Sequence, residues 1–228
     1  MRHRTMLLTL ALAGALATSL RAEQAPAEPP TGLLGVLEIP KLIQAPDPDA
    51  PPGSRLPVAP RPVRLHSGPD RAASVVAVAR RLEDLAVTEF AYEESGAAVF
   101  GRRDGWYLVG LASGGRGWIS PDDGGRFHAL PSLLSGHPAY LTGAWDGTVR
   151  RAPAAASKAS RVDLSSVTFD RDANVVGTLS VGGRLWLEVE LLPEGRCKGM
   201  DVKPIARGWL PAHDHRGRLN VWFYPRGC

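Results

Sequence analysis

Gly105-Trp106-Tyr107-Leu108-Val109-Gly110-Leu111 and, after the turn Gly114-Gly115-Arg116, Gly117-Trp118-Ile119 read as two short strands joined by a glycine-rich reversal. The same short β-runs broken by glycine turns continue on both sides, with little sustained 3.6-residue periodicity. Asp84 to Tyr92 reads as another strand, and Leu185-Trp186-Leu187-Glu188-Val189-Glu190-Leu191 alternates strictly. Leu185, Leu187, Val189 and Leu191 fall on one face, with Trp186, Glu188 and Glu190 on the other. The fold class this predicts is all-β.

Working outward from that hairpin, four blocks recur in the same order. Val63-Arg64-Leu65-His66-Ser67-Gly68-Pro69 is echoed by the shorter Val149-Arg150-Arg151-Ala152-Pro153. Trp106 to Leu111 aligns without a gap on Trp186 to Leu191, and Gly117-Trp118-Ile119 aligns on Gly208-Trp209-Leu210. Gly125-Arg126-Phe127-His128-Ala129 aligns on Gly217-Arg218-Leu219-Asn220-Val221. Between its two tryptophans the second copy is longer, and Cys197 stands in that extra loop.

Upstream the composition changes. Eleven of the twenty prolines lie between residues 23 and 62, which excludes continuous helix or central strand there and predicts an extended spacer over 23–60. Leu33-Leu34-Gly35-Val36-Leu37-Glu38-Ile39-Pro40-Lys41-Leu42-Ile43 is the exception, apolar enough to want burial. Either it adds as a strand or clamp to a sheet edge of its own protein, or it docks on a partner or membrane surface. Residues 1–22 read as a secretory signal peptide: Arg2, His3 and Arg4 precede the apolar run Met6 to Leu16. Both Ala17 and Ala22 fit a cleavage position. The run is shorter than the ~20 residues of a spanning helix, so no membrane span is expected in the mature chain.

The formal charge of +4 is weaker evidence than it looks, because Arg2, Arg4 and Arg21 belong to the leader and leave only +1 on residues 23–228. Nucleic acid is not an expected partner on that balance. Cys197 and Cys228 are the only cysteines, and in an exported chain they are expected to form a disulfide that ties the C-terminal residue to the enlarged loop.

The opening Val63-Arg64…Gly68-Pro69, the Gly105-Trp106 strand and the closing Gly117-Trp118-Ile119 strand together resemble the bacterial SH3-type (Src-homology-3-like) domain. The resemblance covers about residues 61–135. The second copy, about 138–228, follows by analogy and departs from the pattern: its opening glycine is missing and Leu185 stands where the first copy has Gly105. Two small SH3-like β-barrels after a signal peptide and a Pro-rich spacer are what the resemblance implies.

Strand parity assigns Tyr107, Val109 and Leu111 to a core face and turns Trp106 and Trp186 the other way, where Trp186 neighbours two glutamates. A half-exposed tryptophan beside polar groups is a common ligand platform, since it offers large area at little entropy cost; the competing reading is that each tryptophan packs under a neighbouring loop or between the domains. The expected ligand-binding residues are Trp106, Tyr107, Ser113, Arg116 and Trp186, together with the loops around Ser113 to Arg116 and Arg196 to Lys203. His213-Asp214-His215 reads as a solvated hairpin tip, with no further ligands for a metal, and Arg102-Arg103 and Arg150-Arg151 read as solvated basic doublets. No nucleophile elbow, zinc-binding helix, phosphate loop or dinucleotide fingerprint occurs. No catalytic residue, metal or cofactor is therefore expected. The expected function is a periplasmic or secreted, non-catalytic binding protein whose partner is a cell-wall peptide (peptidoglycan stem peptide) or an envelope protein. The alternative is a structural or assembly subunit of an envelope complex without a small ligand.

Overall fold

A computed structural model describes residues 32–43, 45–46, 57–58, 60–154, 160–166, 171–193 and 202–227. The leader, Cys197 and Cys228, and with them the expected disulfide, lie outside the described residues. The chain is all-β, with one short helix among the described residues. In chain order the strands of the first half are β1 (Gly35–Leu37), β2 (Ala45–Pro46), β3 (Pro57–Val58), β4 (Val63–His66), β5 (Val75–Ala79), β6 (Val87–Ala91), β7 (Glu94–Arg103), β8 (Trp106–Gly110), β9 (Arg116–Ile119) and β10 (Phe127–Ala129). Helix α1 (Leu130–Leu134) leads to β11 (Pro138–Leu141), β12 (Asp172–Val181), β13 (Arg184–Leu191), β14 (Ala206–Pro211) and β15 (Val221–Phe223).

Two open antiparallel sheets result. The first runs β10-β1-β7-β8-β9-β4-β5, with β6 on the same edge of β7 as β8; β2 pairs separately with β3. The second runs β15-β11-β12-β13-β14, and Arg150 then bridges Trp209 while Arg161 bridges Arg150. The two paths are the same path. Val99 pairs with Val109 and Val175 with Val189, and in each case a bulge follows at once, before Gly101 and before Gly177. His66 pairs with Trp118 as Arg150 does with Trp209. The two tryptophan blocks are thus superposed by hydrogen-bond register, and the opening block is superposed with Leu65-His66, rather than Val63-Arg64, on Val149-Arg150. The fourth needs correction: Leu37 pairs with Phe127 and Ala139 with Phe223, which sets Phe127 against Phe223 and not against Leu219.

β1 is the counterpart of β11, so the first unit takes its opening strand from the 33–43 stretch and the expected start at residue 61 falls inside it. The stretch pairs on both edges, with β7 and β10, which makes it an inner strand rather than an edge addition. Residues 35–39 contain no proline, so every amide there can donate.

Glycines explain the motif spacing. Asp104 and Gly105 (φ 49° and 81°) make the two-residue hairpin turn of the first unit, and Gly182 and Gly183 (φ 57° and 74°) make that of the second. The second hairpin extends through Ser180–Leu185 and Val181–Arg184, so its turn glycine stands further from the tryptophan than in the first unit. The Gly-Trp pair of the closing strand has another cause. A Cβ on Gly117 would lie 2.7 Å from Leu65 Cβ, and one on Gly208 would lie 2.5 Å from the Arg150 carbonyl oxygen. The opening segment crosses the closing strand at that point in both units, and only glycine leaves it room.

Leu37, Ile39, Val63, Leu65, Val99, Val109 and Ile119 form the first unit's own core. Val36, Ala98 and Phe90, with Leu33 and the α1 leucines, turn the other way and join Val175, Leu187, Val189 and Phe223 in a second core that spans both units. The Gly32 amide donates to the Gly217 carbonyl at 2.6 Å, and Arg226 pairs with Glu89 at 2.9 Å, across the same boundary. Leu37 is fully buried, so Leu37→Ala is expected to lower the unfolding free energy by about 2–5 kcal/mol. A detachable spacer residue would change it by less than ~0.5 kcal/mol; urea titration of the two proteins decides.

Candidate functional site

The tryptophans expected to form a platform are covered. Trp106 is 7% and Trp186 5% exposed. Trp106 meets the ring of His66 edge-on at a centroid distance of 5.4 Å, and His66 is itself fixed by a 3.0 Å hydrogen bond between Nδ1 and the Ala73 carbonyl. The β4–β5 hairpin therefore folds over the face that parity had turned to solvent. At Trp186 the Arg184 guanidinium stands 5.8 Å from the ring centroid. Glu188 and Glu190 are drawn onto Arg207 at 2.9 and 3.4 Å, which raises the Arg207 pKa, chiefly through its hydrogen bond to Glu188.

Tyr107 is half-buried beside Phe127 (centroids 5.4 Å apart), and Arg102 covers both rings, 5.3 and 4.6 Å away. This arginine, expected to be solvated, is in cation–π contact. Arg116 is exposed with its guanidinium 4.0 Å from the Phe100 ring centre, and Ser113 is exposed in the β8–β9 turn. Of the five expected residues, Ser113 lines the groove beside β5.

That groove, about 380 Å³, runs beside β5 and is walled by Val78, Ala79, Arg81, Glu83, Asp84 and Ser113. Its shape comes from the chain reversal after β5. The Asp84 carboxylate accepts from the backbone amides of Arg80 (2.8 Å) and Arg81 (3.2 Å) and from Arg81 Nε (3.2 Å), closing a 3-10 turn at Leu82–Asp84. The Arg80 amide, foremost, holds the Asp84 pKa below its ordinary value. Beyond the turn, Leu85 bridges Leu111, and the Ala112 amide donates to the Asp84 carbonyl, fixing the opposite wall.

β5 is the last strand of its sheet, and Val75, Val76 and Val78 are 47, 49 and 46% exposed. The sequence reading gave these valines no binding role. The available signal was a five-residue apolar run, Val75-Val76-Ala77-Val78-Ala79, with no polar alternation, unlike the alternating β13.

Two other clusters are structural. Glu38 Oε1 lies 2.6 Å from His128 Nε2 under the Phe90 ring, joining the end of β1 to β10, and Lys41 donates to Asp123 at 2.6 Å. His213 is not a solvated tip: its Nε2 lies 3.1 Å from the Leu33 carbonyl at the boundary between the units. Among the described residues no group of three or more His, Cys, Asp or Glu could hold a metal, and no helix is long and apolar enough to cross a membrane. Comparison with family models, with curated proteins and with solved structures returned no match to this chain.

Burial lowers the His213 pKa, opposed by the Leu33 hydrogen bond and the charge of Asp214. A histidine with a lowered folded pKa contributes stability that is intact above its unfolded value near ~6.5 and is lost as pH falls below it. The chain is therefore expected to lose stability as pH falls below about 6.5, and His213→Gln to flatten that part of the profile. The lowered carboxylates Asp84, Asp163 and Asp214 act only further into acid. Urea unfolding across this range checks the assignment, which a profile unchanged by the substitution overturns.

Proposed function

We propose that this chain is an exported, non-catalytic binding protein built from two SH3-like barrel units, and that it recognises a cell-envelope ligand, either a peptidoglycan stem peptide or an envelope protein. The observation that carries the reading is the repeated strand path with its bulge and crossing glycine at equivalent places, combined with a groove beside β5 of the first unit. A bulge bends a strand and increases its twist, which favours curling of a short sheet toward a barrel. The Gly-Trp closing strand that motivates the family resemblance has the same physical reason in both copies, which supports treating them as variants of one module. Export rests on the basic and apolar residues of 1–22.

Recognition is placed at the groove between β5 and the Ser113 turn rather than at Trp106 and Trp186, whose burial leaves too little area to bind. The alternative reading, an assembly subunit without a small ligand, is favoured by the exposed valines of β5, which suit a protein surface better than a small molecule.

Retention of the mature protein on purified sacculi is the test. The wild type is expected to be retained, and Ser113→Trp and Arg81→Glu, both at exposed positions, are expected to reduce retention by about tenfold while circular dichroism stays unchanged. Absence of retention, or retention indifferent to both substitutions, counts against a wall ligand. A stable oligomer in sedimentation would favour the assembly reading.

A further inference from the structure

We infer that the free edge of β5 is a strand-addition site for an extended acidic peptide segment of a partner protein. The inference rests on the binding-protein reading and names the partner class of its groove.

An edge strand presents unpaired amides and carbonyls, and proteins guard such edges with charge, proline or bulges. β5 carries neither charge nor proline. Its bulge falls where Leu65 pairs with Ala77 and His66 with Val75, so Val76 is the extra residue. Ala77, Val78 and Ala79, which face the groove, keep regular pairing with β4. The second unit shows the guarded version. Its counterpart segment, Ser160-Arg161-Val162, sets an exposed arginine at the same place in the strand path. The apolar edge, regular over Ala77–Ala79, thus belongs to one copy of the repeated unit, and a shared folding requirement does not explain it.

Charge around the edge selects the occupant. Arg64 is the register partner of Val78, and Arg80 follows the strand directly. Both are exposed, and among the described residues neither enters an ion pair. Arg81 and Asp84 pair with each other, so among the described residues that wall the groove Glu83 is the acid that enters no ion pair, set against Arg64 and Arg80 beside the strand. An incoming strand with apolar residues for the valines and carboxylates for Arg64 and Arg80 matches this surface. Backbone bonds supply affinity in that mode, and the alternate side chains supply selectivity. A basic strand would meet like charges.

Two short fluorescein-labelled peptides of identical alternating pattern, one glutamate–valine and one lysine–valine, are titrated against the mature full chain by anisotropy. The acidic peptide is expected to bind about tenfold more tightly than the basic one, and Arg64→Glu with Arg80→Glu to reverse that order. Val78→Lys, which sets a charge on the groove-facing part of the edge, is expected to weaken acidic-peptide binding by about tenfold with the near-ultraviolet spectrum unchanged. Amide exchange is expected to slow at Val75–Ala79 on binding. Failure of both peptides to bind at about 1 mM, equal binding of both, or protection elsewhere overturns the inference. So does dimerisation that Val78→Lys abolishes, which reassigns the edge to a second copy of the chain. Sacculus retention that survives loss of peptide binding sinks this inference alone; peptide binding without retention sinks the wall-ligand reading alone.

Discussion

Burial of one strand layer on both of its faces is the constraint from which the rest of the molecule follows. β1 and the adjoining part of β7 send Leu37, Ala97 and Val99 into the first unit's core, and Val36 and Ala98 into the core shared with the second. Neither unit can lose this layer and keep its hydrophobic contacts. In small domains, where a single core supplies little margin, two units that share apolar surface are more stable together than apart. The boundary then becomes a place where polar groups must be matched with care. His213 and the Leu33 carbonyl meet there, as do Gly32 and Gly217.

Repetition gives that arrangement its economy. Each unit uses a long bulged strand, a hairpin closed by two residues of positive φ, and a closing strand crossed at a glycine. The units differ where packing permits. The second lengthens its hairpin and shortens the connection between its opening strand and the crossing segment. It also carries charge on the terminal edge that the first leaves apolar. Divergence at an edge costs little stability, because edge side chains touch few neighbours, so an edge is where one copy can acquire a binding role while the shared framework persists.

Covering of the tryptophans shifts attention from aromatic rings to backbone. A ring that is 5–7% exposed contributes packing. The surface left open in the first unit is a strand edge beside arginines, with a turn whose geometry is held by the Asp84 carboxylate.

Local chemistry was legible from the residues alone. Alternation marked the strands around Leu187 and Val109, glycine marked the turns, and repeated blocks announced duplication, because each depends on a few adjacent residues. Three features were decided only by tertiary structure. The 33–43 stretch became an inner strand, the outward-facing tryptophans were covered by His66 and Arg184, and the β5 edge was left open. Whether a side chain on the outer face of a strand meets water depends on which distant segment lies over it, and no periodicity within the strand carries that information.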